Sequence, residues 1–114
     1  MSKNLIDLVE IIRDRKNKDK DKSYTSFLIS GGLSKCIDKM EEEFDEFKEA
    51  LNNKSNIVHE AADTIYHILV TLEVANIKFE DVLKELEKRK KQSGIEEKNN
   101  RQWIMIKIIF LQRF

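Results

Sequence analysis

Proline is absent from the 114-residue chain, and glycine occurs only three times. Nothing therefore breaks a long helix by ring geometry, and tight turns have few places to form. A single cysteine, Cys36, excludes an internal disulfide, so a reducing cytoplasm is the expected compartment. An excess of either charge is missing too. With 21 basic side chains against 21 acidic ones, the chain lacks the basic surplus that nonspecific nucleic-acid binding requires, and no nucleic-acid partner is expected. No apolar run reaches the length of a membrane span, and the longest, near the C-terminus, is interrupted by Lys107. The opening Met1-Ser2-Lys3-Asn4 has no apolar signal-peptide core, so no membrane association is expected either.

Charged residues make up 37% of the chain and hydrophobic ones 40%, a balance that favours helices over sheet. The length suits one domain with a modest core. Leu5, Leu8, Val9 and Ile12 recur at helical spacing between Asn4 and Arg15. The charged run 16–22 has no apolar period and predicts a loop. Ser23-Tyr24-Thr25-Ser26 leads into Phe27-Leu28-Ile29 as a helix start, and Gly31-Gly32 ends it as a turn or cap. From the N-cap candidate Ser34 a second long helix carries a core stripe of Leu33, Cys36, Ile37, Met40, Phe44, Phe47 and Leu51. The polar stretch 52–56 predicts a short connection and hence antiparallel neighbours. A third helix spans Ile57 to Val74, with Val58, Ala61, Ala62, Ile65, Ile68, Leu69 and Leu72 as its stripe. Phe79, Val82, Leu83 and Leu86 define a fourth, closing in the basic run 87–91, and Ser93 to Glu96 has the form of a capping box. Residues 1–102 thus form the expected helical domain. The segment 103–114 is apolar at either period and is expected to be buried, across a subunit interface.

The chemistry concentrates between Lys39 and His67. Glu42, Glu43 and Glu46 share one helical face, as do Glu60 and Asp63, with His67 one turn further. Acidic residues at this spacing ordinarily form a solvated face. The second group, however, sits in the most apolar segment of the chain. Packed antiparallel, the two helices would bring the carboxylates into one volume, where they repel each other and their pKa values rise. A hard divalent cation relieves that conflict. Lys35 and Lys39, one turn apart, precede the acidic group and suit phosphate oxygens as well as they suit plain solvent. His59 is expected at the surface, and His67 is as consistent with a structural hydrogen bond to a carboxylate as with a substrate contact.

The pattern Glu42-Glu43-x-x-Glu46, thirteen intervening residues, then Glu60-x-x-Asp63, resembles that of the MazG-like all-α nucleoside triphosphate pyrophosphohydrolases. Further marks narrow the likeness. Ser23-Tyr24-Thr25, Gly32-x-x-Lys35, Lys39-x-x-Glu42, Tyr66-His67 and 93–98 together resemble the phosphoribosyl-ATP pyrophosphohydrolase family, over about Leu5 to Arg101. Glu41 departs from that family by standing where a small residue is common, and the tail from Trp103 has no counterpart.

The resemblance implies an all-α, four-helix MazG-like bundle completed by oligomerisation, as a homodimer or higher homo-oligomer. It implies Mg²⁺-dependent (or Mn²⁺-dependent) hydrolysis of phosphoribosyl-ATP to phosphoribosyl-AMP and pyrophosphate, the second step of histidine biosynthesis, in the cytoplasm. Glu42, Glu43, Glu46, Glu60 and Asp63 would bind the metal, with Glu43 or Glu46 serving as general base. Tyr24, Thr25, Lys35, Lys39 and His67 would contact the substrate. The rival activity is general cleavage of (d)NTPs for nucleotide-pool cleansing.

Overall fold

The stretches whose apolar residues recur every three or four positions all fold as α-helices. The computed structural model describes residues 3–90. The capping-box residues 93–96, the tail 103–114 and the domain boundary after residue 102 lie outside them. Helices α1 (Lys3–Asp14), α2 (Tyr24–Ser30), α3 (Gly32–Asn53), α4 (Ile57–Val74) and α5 (Phe79–Lys90) follow in order, with one 3₁₀ turn at Arg15–Asn17, and no strand occurs among the described residues. The chain divides into two compact units, Met1–Phe79 and Glu80–Phe114.

In the first unit the long helices α3 and α4 dominate the packing, and α1 and α2 lie against them. The connection between α3 and α4 is three residues, and it turns through two left-handed positions, Lys54 at φ 55° and Asn56 at φ 57°. Ser55 N–H closes the end of α3 on the Ala50 carbonyl at 3.1 Å. Two threonines stitch the pair together. Thr64 Oγ1 donates to its own helix at Glu60 O (2.7 Å) and lies 3.3 Å from Glu43 O on α3. Thr71 repeats the arrangement one heptad on, 2.7 Å from His67 O and 3.5 Å from Cys36 O. A step of seven up α4 matches a step of seven down α3, as antiparallel helices require.

Helices α2 and α3 are almost continuous. What separates them is Gly32, whose φ of 84° no side-chain-bearing residue adopts readily. Helix α3 therefore starts two residues before the expected N-cap, and Ser34 lies inside its first turn. Ser23 does cap α2, accepting from Ser26 N–H at 3.2 Å. At the far end of α4, Asn76 takes φ 60° and Ile77 N–H reaches back to Leu72 O at 2.9 Å, a six-to-one closure. Lys16 Nζ caps the same end on Glu73 O and Asn76 Oδ1, and Arg13 Nε meets the Glu73 carboxylate at 3.2 Å. Cations there oppose the negative end of the α4 dipole and hold α1 to α4.

The core differs from the expected stripes. Cys36 is buried as anticipated, but the positions that line up with it along α3 are Glu43 and Ala50. Leu33, Ile37, Phe44 and Leu51 remain 39–47% exposed. On α4 the buried residues are Thr64, His67, Leu69 and Val70, while Val58 and Ile65 face outward. Apolar period identifies each helix, and Cys36 and Leu69 of the expected stripes are buried, but the largest apolar side chains of α3 lie off the seam. The helices approach along small and polar side chains, and the apolar line is left on the flank.

In the second unit α5 is amphipathic, with Glu80 and Asp81 in its first turn and Lys88, Arg89 and Lys90 in its last. Both ends complement the helix dipole.

Candidate active site

Burying Glu43 in the α3–α4 seam is costly unless something compensates its charge. The residue is 5% exposed. Its Oε1 lies 3.5 Å from Lys39 Nζ and 3.7 Å from His67 Nε2. Its Oε2 is buried with no hydrogen-bond partner, and so is Oε2 of Glu60 on α4. Glu43, Glu46 and Glu60 each bring a carboxylate oxygen into a group whose atoms all lie within 4.8 Å of one another. Burial first, and then the neighbouring charge of Glu46, push the Glu43 carboxyl above its usual range, with Lys39 opposing and Asp63 adding to the rise.

These observations meet the demands of a hard divalent cation. The donors are all carboxylate oxygens, two of them buried and unpartnered, drawn from two helices that the threonine contacts hold in register. Beside Glu46 and Glu60 lies a polar cleft of about 200 Å³, which also takes in Glu49, Asn53, Ser55 and Asn56. Glu49 was not singled out from the sequence. Its spacing of three from Glu46 was the available signal.

The other expected residues divide into groups. Glu42 is 63% exposed at its side chain and is held by Lys39 Nζ at 3.0 Å, outside the three-carboxylate group. Asp63 turns to the exposed flank, where His59 Nε2 meets its Oδ2 at 3.2 Å. Asp63, Glu60 and His59 form a second close group that shares Glu60 with the first. Lys39 therefore touches both Glu42 and Glu43, and the hydrogen bond to Glu42 chiefly raises its pKa.

Lys35 and Lys39 also line a mainly apolar groove of about 330 Å³ with Phe27, Leu28, Ser30 and Gly31. Tyr24 and Phe27, exposed on α2, stack with ring centres 6.4 Å apart. Thr25 and Tyr66 share a hydrogen bond that ties α2 to α4. His67 is buried, 5% exposed, with the rings of Tyr24 and Tyr66 edge-on to it at 6.3 and 5.2 Å. Burial holds its pKa below the usual histidine value.

Residues 5–90 match the family profile of phosphoribosyl-ATP pyrophosphohydrolase. The chain belongs to that family. A protein of Rhizobium etli named phosphoribosyl-ATP pyrophosphatase is 42% identical over 101 residues, covering 87% of this chain and 94% of the relative. A namesake from Clostridium acetobutylicum is 44% identical over 93 residues, covering 78% and 84%. Another, from Paracoccus denitrificans, is 40% identical over 96 residues, covering 82% and 89%. Both halves of the carboxylate group fall within the matched span. Among the described residues no helix is long and apolar enough to cross a membrane.

Proposed function

We infer that the chain hydrolyses phosphoribosyl-ATP to phosphoribosyl-AMP and pyrophosphate, the second step of histidine biosynthesis, with Mg²⁺ as cofactor. The observation that carries this reading is the pair of buried, unpartnered carboxylate oxygens of Glu43 and Glu60, set with Glu46 in a chain of this family. Glu43, Glu46 and Glu60 would hold the cation, with Asp63 and Glu42 at its margin. Bound there, Mg²⁺ would supply Lewis-acid chemistry, neutralising phosphate charge and polarising the phosphorus centre.

The protein's own groups do the remaining work. Lys35 and Lys39 meet phosphate charge at the mouth of the groove, and an incoming triphosphate releases Lys39 from Glu42. Of the two candidates for general base, Glu46 is open to solvent whereas Glu43 is enclosed, which favours Glu46 as the group that takes the proton from attacking water. Tyr24, exposed beside the groove, is placed to touch the nucleotide. Thr25 acts through its bond to Tyr66.

The chain would work as a homo-oligomer. In its support, Ile37, Phe44 and Leu51 recur by sevens along α3, and Val58 and Ile65 along α4, all exposed in the single chain. Heptad-spaced apolar lines are what a further helix packs against. One buried free cysteine, Cys36, accords with work in the cytoplasm.

Release of pyrophosphate from phosphoribosyl-ATP, ATP and a dNTP panel tests the reading directly. The expected result is a strong preference for phosphoribosyl-ATP, dependent on Mg²⁺ and removed by Glu46→Gln with the helical fold retained. Equal kcat/KM for dATP or dUTP would replace it with the nucleotide-cleansing activity.

A further inference from the structure

His67 is a buried imidazole that the proposed reaction leaves without a task. Its surroundings give it one. Tyr24 of α2 and Tyr66 of α4 both stand nearly perpendicular to the ring, at 83° and 80°, so side chains of two helices pack against the imidazole. Tyr66 is itself fixed through Thr25. Its Nε2 faces Glu43 Oε1 at 3.7 Å, just beyond hydrogen-bond reach, and such contacts often tighten only when a site is loaded. Nε2 is the ring nitrogen turned to Glu43, so a proton carried there would be donated toward the carboxylate.

A carboxylate rotates easily about its last torsion, which would exchange its two oxygens. Lys39 holds Oε1 of Glu43 from the more open side, and His67 faces the same oxygen from within. What is left is Oε2, buried and unpartnered. We propose that His67 is a positioning residue: packed against Tyr24 and Tyr66, it fixes Oε1 of Glu43 and so presents Oε2 to a divalent cation. The proposal rests on the metal-dependent reading above. It also gives the Ser-Tyr-Thr element of α2 a second task, since Tyr24 and Thr25 hold the imidazole that orders the ligand.

Two substitutions of nearly equal length separate positioning from simple space-filling. Gln retains an N–H donor where Nε2 stood, and Met does not. Mn²⁺ alone, titrated into the full chain and followed by the electron paramagnetic resonance of the free ion, reads the site without turnover. His67→Met should weaken Mn²⁺ binding about 10- to 100-fold, and His67→Gln should recover most of it. At saturating Mn²⁺, kcat should follow the same order while KM for phosphoribosyl-ATP moves little. Should the Met variant fail to fold, His67→Asn, whose amide stops short of Glu43, serves in its place. Equal Mn²⁺ affinity in the native chain and the donor-less variant overturns the proposal, and so do equal losses in Gln and Met variants that both fold. Absence of Mn²⁺ binding by the native chain overturns the metal site itself, and His67's task with it.

Discussion

Replacing Glu43 by Gln should make the metal-free protein more stable and the metal useless to it. The native seam holds a carboxylate whose Oε2 has no partner, and leaving a buried acceptor unsatisfied costs about 1–3 kcal/mol. An amide in its place presents an N–H toward the oxygens of Glu46 and Glu60, which lie within the same 4.8 Å group. Against this gain stands the loss of the Lys39 pair. Lys39 is 33% exposed and 3.5 Å away, so that pair is worth at most about 1 kcal/mol. The net is a stabilisation of about 1 kcal/mol, or about 5 °C in melting temperature for a domain this size. Mg²⁺ at ten times its dissociation constant should raise the native melting temperature by RT ln 11, about 1.4 kcal/mol or ~6 °C. The variant should show no such rise and no pyrophosphate release. Thermal melts with and without Mg²⁺, on both proteins, make the comparison. A metal-free variant that melts below the native chain, or a variant that keeps the Mg²⁺ shift, would refute the reasoning.

The same residue sets a pH dependence. Because burial and Glu46 raise the Glu43 carboxyl, the fold favours its protonated form, so the metal-free native chain should recover on acidification. The advantage of Glu43→Gln is greatest at neutral pH, shrinks as pH falls through the raised value and is gone near the ordinary 4.5, as paired denaturant titrations would report. Gly32→Ala should cost about 1 kcal/mol, because nothing lies within 4 Å of the added Cβ and only the φ of 84° resists it; chemical denaturation at matched m-values checks this. Ile65→Glu should leave the isolated helices intact, since Ile65 is 49% exposed, yet weaken self-association about 10- to 100-fold. Light scattering over a dilution series would show the mass falling, and an unchanged mass would remove Ile65 from any interface.

Much of the helical layout was legible in the sequence. The third helix was expected from Ile57 to Val74, and α4 has those bounds, because a polar connection precedes it and its apolar period is strong. The start of α3 was misjudged because Ser34 looks like a cap. The break is in fact made by the positive φ of Gly32, which needs no capping side chain. Within the site, spacing identified Glu43, Glu46 and Glu60, the residues that the fold brings together. Spacing could not separate these three from Glu42 and Asp63. That depends on the ion pair each carboxylate makes along its own helix, with Lys39 for Glu42 and with His59 for Asp63. The polar character of the seam was equally hidden, since periodicity assigns the core to whichever line of residues is most apolar.

The two threonines of α4 act as a ruler. Thr64 lies against the Glu43 carbonyl and Thr71 against that of Cys36, so sliding one helix past the other by a single turn, 5.4 Å, would forfeit both contacts together. Alignment of Glu60 with Glu43 and Glu46 is thus written along the seam and owes nothing to the connecting turn. The three-residue link at Lys54–Asn56 is consequently not what sets the register, although its Ser55 and Asn56 line the cleft beside Glu46 and Glu60. Lengthening it costs only about 0.6 kcal/mol per doubling, and opening it to make new chain ends there would leave the carboxylates facing one another. A rewired link would keep the carboxylates in register and change only the cleft wall that Ser55 and Asn56 supply.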